Sequence, residues 1–204
     1  MPRSLVGIAG GSGSGKSALA VALCREYPQN FALVHVDDYF KKPEEVPPAP
    51  IGGPNWDHPH AVRFEGLYWD LRALLDGKPV VVQTKSELYH PAYDPKLKNR
   101  IPYTIEPKPV VLLEGYLALY DPRIWTMMAL SIYLDIPITE SLRRRSPNKS
   151  AIGEAYLQQV LLPAHEQFVE PTKKNASVVL NISTRTKRDV LQDVGVILKG
   201  KKLF

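Results

Sequence analysis

The sequence predicts an α/β protein, a three-layer sandwich with a parallel sheet covered by helices on both faces. Three observations carry that expectation. Short, continuously apolar runs recur along the chain, at residues 5–9, 31–36, 110–113, 130–134 and 177–180. Stretches with helical periodicity separate them, and strands apolar on both sides belong to a parallel sheet buried on both faces. The first run leads into Gly10-Gly11-Ser12-Gly13-Ser14-Gly15-Lys16-Ser17, a G-x-x-x-x-G-K-S phosphate-binding loop, and then into a helix. Strand, glycine-rich turn and helix in that order are the context in which this motif binds phosphates.

Each element has its own warrant. Residues 5–9 form the first strand and residues 18–24 the first helix, with Cys24 as a small core residue. Residues 31–36 form a buried strand that ends at Asp37-Asp38. Residues 42–59 are rich in Pro and Gly, too irregular for regular structure. Helix resumes near Ala61, with Phe64, Leu67, Leu71, Leu74 and Leu75 on one side, and stops at Gly77. Residues 80–106 read as a hairpin-like excursion from the single domain 1–204. Residues 110–113 form a strand ending at Glu114-Gly115. Residues 130–134 form another, followed by a helix toward Arg143-Arg144-Arg145 and a short lid over 143–150. A longer helix is expected over 151–169, disturbed at Pro163. A last strand covers 177–180 and a last helix 187–199.

The 204 residues suit one domain with a sizeable core. Hydrophobic content of 44% and charged content of 23% are ordinary for a globular protein. The net charge of +5 comes largely from the tail and the arginine run, so no general nucleic-acid surface is expected. One cysteine cannot make an internal disulfide, no run reaches the length of a membrane span, and no leader is evident. The expectation is a cytoplasmic protein that binds neither membrane nor nucleic acid. Self-association is left open.

In an open parallel sheet, ligands gather at the carboxyl ends of the strands. Glycines in the loop let backbone N–H groups line an anion nest at the helix N-terminus. Residues 11–18 (Gly11, Ser12, Gly13, Ser14, Gly15, Lys16, Ser17 and Ala18) are therefore the candidate nucleotide site. Lys16 reaches the β- and γ-phosphates and the Ser17 hydroxyl holds Mg²⁺. Phosphoryl transfer to a hydroxyl needs a carboxylate near the acceptor oxygen, and Asp37 is placed for it. Asp38 points elsewhere in an extended segment and supports the turn. Glu114, after four apolar residues, is the candidate acid of the metal site. The arginine run offers guanidinium groups to the transferring phosphoryl. Asp57 offers a carboxylate to two vicinal ribose hydroxyls with Trp56 as an apolar wall; a capped turn is the other reading of that segment. Tyr93 and Arg100 are candidates for contacting the acceptor. His58 and His165 have no Cys/His spacing typical of zinc.

Taken together these residues resemble the uridine kinase and nicotinamide riboside kinase branch of the P-loop kinases, from about Leu5 to Asn181. Residues 7–17 look like the uridine kinase opening. Asn55-Trp56-Asp57-His58-Pro59 is similar to its N-[FY]-D-H-P motif. Pro109 to Leu119 is similar to its strand ending in E-G-I-L, and Glu170-Pro171-Thr172-Lys173-Lys174-Asn175-Ala176 contains its P-[ST]-K-x-x-A stretch. The resemblance implies a P-loop NTPase fold of nucleoside-kinase type. It also implies ATP- and Mg²⁺-dependent phosphorylation of a nucleoside 5′-hydroxyl, uridine or cytidine first. Asp37 becomes the general base, Asp57 the ribose ligand, Glu114 the metal-site acid, and Arg144 and Arg145 lid arginines. Tyr93 and Arg100 fall in the acceptor pocket. Asp37-Asp38-Tyr39-Phe40-Lys41 and the Ile136 to Ser146 segment resemble nicotinamide riboside kinases, which form an alternative beside other sugar or small-alcohol kinases. A nucleotide-binding switch is the alternative of another class. This chain departs from uridine kinases in carrying Lys98 at their base-reading histidine and Ser141 at an expected arginine.

Overall fold

The computed structural model describes residues 2–91, 99–144 and 153–204. Five parallel strands form the main sheet: β1 (Ser4–Gly10), β2 (Phe31–His35), β5 (Val110–Glu114), β6 (Met128–Asp135) and β7 (Val178–Asn181), in the order β2-β5-β1-β6-β7. The remaining two, β3 (Val80–Thr84) and β4 (Ile101–Ile105), pair antiparallel as a separate hairpin arm. The fold is thus the predicted sandwich with its excursion.

Strand periodicity explains both layers. Alternate β1 side chains point to opposite faces. Val6 and Ile8 join α1 (Lys16–Glu26) and α7 (Lys187–Gly200) in one core, with Leu33, Leu112 and Leu130. Leu5 and Ala9 join α2 (Phe64–Leu75) and the hairpin in the other, with Val34, Val111 and Leu113. Every residue of β2 and β5 is buried, which is why both read as apolar runs up to their last residues, His35 and Glu114. Cys24 is buried in α1 as expected, and burial pushes its thiol up to about 12. Among the described residues no helix is long and apolar enough to cross a membrane.

Boundaries differ from the sequence expectation at two helices. The helix anticipated near Ala61 starts at Phe64, because Pro59–Ala61 closes a separate 3₁₀ turn. The anticipated long helix is described from α5 (Glu154–Tyr156) and α6 (Leu162–Ala164). Two π-helical turns, Leu157–Leu161 and His165–Val169, flank α6, and a 3₁₀ turn carries the segment to Asn175. Pro163 lacks the N–H of a regular ladder and crowds the preceding turn; wider turns accommodate it. Short α3 (Pro122–Trp125) and α4 (Ile138–Arg143) flank β6.

Leu112 is fully buried at the middle of β5. Leu112→Ala should lower unfolding stability by about 2–5 kcal/mol in a urea titration, the range for truncating a packed leucine.

Candidate active site

The loop after β1 is built for an anion. Gly13 and Gly15 adopt φ of 87° and 88°, left-handed values that side chains disfavour, so the backbone can curl inward. Gly15 is the N-cap of α1 and no side chain caps that helix, which leaves its N-terminal turn presented to a ligand. Lys16 is buried, and its Nζ donates to the Gly11 carbonyl at 2.8 Å, folding the ammonium back over the loop. The Ser12 carbonyl accepts from Ser141 Oγ at 2.7 Å, so α4 braces the loop from the side. Ser17 and Ala18 are exposed at its mouth.

Beside the loop, β2 and β5 end in register. Their parallel pairing sets His35 opposite Glu114, and His35 Nδ1 lies 2.5 Å from Glu114 Oε1. Both side chains are buried. Burial alone would push the Glu114 carboxyl up. The bond and charge of His35, with Lys16 and the Ser17 hydroxyl, outweigh it and hold the carboxyl below its ordinary range. The same pair holds the His35 imidazole above its ordinary value against its own burial.

Immediately after His35, a 3₁₀ turn (Val36–Tyr39) carries the two aspartates in opposite directions. Asp37 is exposed and Asp38 buried. Arg100 holds this turn. Its Nη1 donates to Asp38 Oδ1 at 3.1 Å and to the Gln83 carbonyl at 2.8 Å, while Nη2 donates to the Asp37 carbonyl at 2.8 Å. One guanidinium thereby pins the hairpin arm to the end of β2. Burial pushes the Asp38 carboxyl up, against His35, Thr84 and Arg100. Gly115 lets the turn approach β5: a Cβ there would lie 2.5 Å from Val36.

Asp57 supplies a second carboxylate, on the Asn55-Trp56-Asp57 segment. The Asp57 N–H donates to Asn55 Oδ1 at 3.2 Å, and Asp57 Oδ2 accepts from the Tyr156 hydroxyl at 2.6 Å. Trp56 packs edge-on to Phe40, and its carbonyl accepts from the Tyr116 hydroxyl at 2.8 Å. Burial and then the charges of Asp57 and Asp37 push the Tyr116 phenol well above its ordinary value.

The sequence-predicted residues are thus partly assembled. The loop, Lys16, Ser17 and Glu114 form one group; Asp37, Trp56 and Asp57 line another nearby. Arg100 supports the Asp37 turn. Arg144 bonds to Glu140 Oε1 and the Ser183 carbonyl at 2.5 Å each, and to the Ile182 carbonyl at 3.1 Å. That position lines a cavity of about 240 Å³ beside Ser14 and Gly15, with Ala18, Leu134, Ile182, Arg185 and Arg188 on its other walls. Tyr93, Lys98, Arg145 and most of the expected lid lie outside the described residues. Sequence reasoning missed His35, Tyr116, Tyr156 and the cavity. Tyr116 alone carried a local signal, two residues beyond Glu114 at a strand end. Among the described residues, no cluster of three or more His, Cys, Asp or Glu side chains is spaced to hold a metal by itself.

The chain is similar to proteins of known family. The family model described as "Phosphoribulokinase / Uridine kinase family" matches residues 5–189. The chain is 34% identical to a uridine kinase of Brevibacillus brevis over 214 aligned positions, covering 98% of this chain and 96% of that one. It is 34% identical to a uridine kinase of Staphylococcus epidermidis, covering 87% and 86%. Among solved structures, a possible uridine kinase from Bacillus stearothermophilus superposes with a TM-score of 0.57 at 22% identity, covering 88% of this chain and 89% of that one. Phosphoribulokinase from Rhodobacter spheroides gives 0.62 at 11% identity, covering 88% and 70%. At these identities the two structures speak for the fold.

Two outcomes test the geometry. Arg100→Ala should cost about 2 kcal/mol in urea unfolding, since a buried carboxylate loses a charged donor. It should also speed amide exchange over residues 36–40 more than over β5. The His35–Glu114 pair sets a pH window. Glu114, held low, contributes stability above its unfolded value of 4.5 and loses it as pH falls through the lower folded value. His35, held high, contributes fully below 6.5 and loses it as pH rises through the higher folded value. The melting-temperature advantage of the native chain over His35→Asn should be greatest between 4.5 and 6.5 and shrink on either side.

Proposed function

Because the chain belongs to the phosphoribulokinase/uridine kinase family, we propose that it transfers the terminal phosphoryl group of ATP to the 5′-hydroxyl of a pyrimidine nucleoside, uridine or cytidine. The observation that carries this reading is that Trp56-Asp57, held by the Tyr116 hydroxyl on the Trp56 carbonyl at 2.8 Å, and the exposed Asp37 after β2 stand with the segments that leave the strand ends beside the phosphate loop. A nucleotide switch needs the loop and Glu114 but has no use for two carboxylates facing an acceptor. The relatives named uridine kinase favour the pyrimidine nucleoside over nicotinamide riboside or a simple sugar.

In this mechanism the loop and Lys16 bind the phosphates of ATP, and the base lies in the cavity between α1, Arg144 and the residues after β7. Asp57 accepts from the ribose hydroxyls, with Trp56 as the wall. Asp37 accepts the proton of the 5′-hydroxyl as its oxygen bonds to the γ-phosphorus and the bond to the β-phosphate bridging oxygen breaks. Lys16 stays near both bridging and terminal oxygens and stabilises charge as it moves to ADP. Arg144, which lines the cavity beside Ser14 and Gly15, offers its guanidinium to the phosphates, and Arg100 borders the acceptor.

Mg²⁺ fits the residues present. Ser17 and Glu114 are hard oxygen donors, and Glu114 is kept ionised despite burial. A site with so few protein oxygens suits a cation that completes its shell with water and phosphate. When bound there it would neutralise charge on the β- and γ-phosphates.

ATP consumption with Mg²⁺ should be selective for uridine or cytidine in a panel that also holds adenosine, nicotinamide riboside, ribose and glycerate. Turnover independent of any acceptor would overturn the reading. Asp37→Ala should lower turnover by about 10²–10⁴-fold, the contribution of a positioned base, with ATP affinity close to native.

A further inference from the structure

His35 has no part in the phosphoryl-transfer mechanism, yet it is the nearest polar partner of Glu114. We propose that His35 is a positioning residue of the divalent-cation site, acting through Glu114 and never touching cation or nucleotide. This rests on the reading of Glu114 as a metal-site acid.

Four observations converge on it. The register of β2 on β5 puts the two residues side by side at the strand ends, where backbone hydrogen bonds fix both Cα positions. Nδ1 and Oε1 stand 2.5 Å apart, and the side chains are only 9% and 6% exposed, so water cannot take over the contact. Nε2 has no hydrogen-bond partner among the described residues, so the ring's one bond is the one to Glu114. Finally, the Glu114 carboxylate interacts with the loop residues Lys16 and Ser17 as well as with His35.

Physically, a glutamate has three torsions, and the Lys16 ammonium competes with Ser17 for its carboxylate. Salt-bridging to the ammonium would draw it away from Ser17. A ring fixed by β2, with a single N–H directed at Oε1, removes that freedom before any cation arrives. Partners of this kind orient metal-binding groups, and losing one typically weakens metal affinity by about 10–100-fold.

The test measures Mn²⁺ binding to the full chain in the presence of ADP, by the electron paramagnetic resonance signal of the free ion. ADP affinity without metal is measured alongside, with melting temperature as the check on folding. His35→Leu should weaken Mn²⁺ by about 10–100-fold with metal-free ADP affinity unchanged. His35→Asn, which places an amide N–H near the Nδ1 position, should recover most of that loss; a role limited to packing would make Leu the better replacement. If His35→Asn, folded, loses as much Mn²⁺ affinity as His35→Leu, or if both bind as the native chain does, the proposal fails. Glu114→Gln separates it from its premise. Unchanged Mn²⁺ affinity in Glu114→Gln would remove Glu114 from the metal site and the role of His35 with it. Weakened binding in Glu114→Gln beside native binding in His35→Leu would overturn the His35 role alone.

Discussion

The parallel register of β2, β5 and β1 is the constraint on which the rest depends. Ile8 and His35 both pair with Glu114, so β2 and β5 end at one level and β1 runs two residues further, to Gly10. The segments leaving those ends are thereby delivered to one place: the phosphate loop after β1, the aspartate turn after β2, and Gly115-Tyr116 after β5. A slip of one residue would turn each strand's apolar set to the opposite face and take Glu114 away from His35. The burial of Leu33, Leu112 and Val6 in one layer and Val34, Val111 and Leu5 in the other forbids it. Packing on two faces and the strand register together bring these polar groups to the same end of the sheet.

That edge carries an unusual density of buried charge. Lys16, His35, Asp38 and Glu114 are all buried, and desolvation opposes ionisation of each. They are tolerated because each has a partner: Gly11 for Lys16, Glu114 for His35, Arg100 and Thr84 for Asp38. Arg100 matters beyond its one ion pair, since it also takes the carbonyls of Gln83 and Asp37. A planar guanidinium can hold three acceptors on two separate segments, which an ammonium could not do with the same fixed geometry. The hairpin is consequently part of the site's frame as well as an appendage of the fold.

Much of this was legible in the sequence, for identifiable reasons. Strands buried on both faces appear as continuous apolar runs, and the glycine pattern of the loop has a strict backbone meaning at Gly13 and Gly15. Asp37 and Glu114 were found because each ends such a run. His35 was hidden by its place inside the run, where a lone histidine among apolar neighbours reads as core; its partner is 79 residues away. Tyr156 was hidden for a different reason. Its segment is wound with π turns around Pro163, so helical periodicity does not report which side faces Asp57. Asp38 was read as a turn residue, and the turn is real, but its burial against Arg100 depends on a hairpin whose docking no local pattern encodes.

The side chains assigned to substrates already have internal partners. Lys16 bonds to the Gly11 carbonyl, Asp57 to the Tyr156 hydroxyl, and Arg144 to the 182–183 carbonyls. Under the proposed function, ligands would exchange these bonds for new ones, and an exchanged hydrogen bond is worth only ~1 kcal/mol net. The exchange favours charged ligands, because an ammonium gains more from a phosphate than from a neutral carbonyl. By the same reasoning a ribose hydroxyl replacing the Tyr156 hydroxyl on Asp57 gains little in affinity, since one neutral donor replaces another. Its value lies in discrimination. A sugar lacking that hydroxyl would leave a partly buried carboxylate with a poorer set of donors, so the carboxylate would select the acceptor while the phosphate loop supplies the affinity.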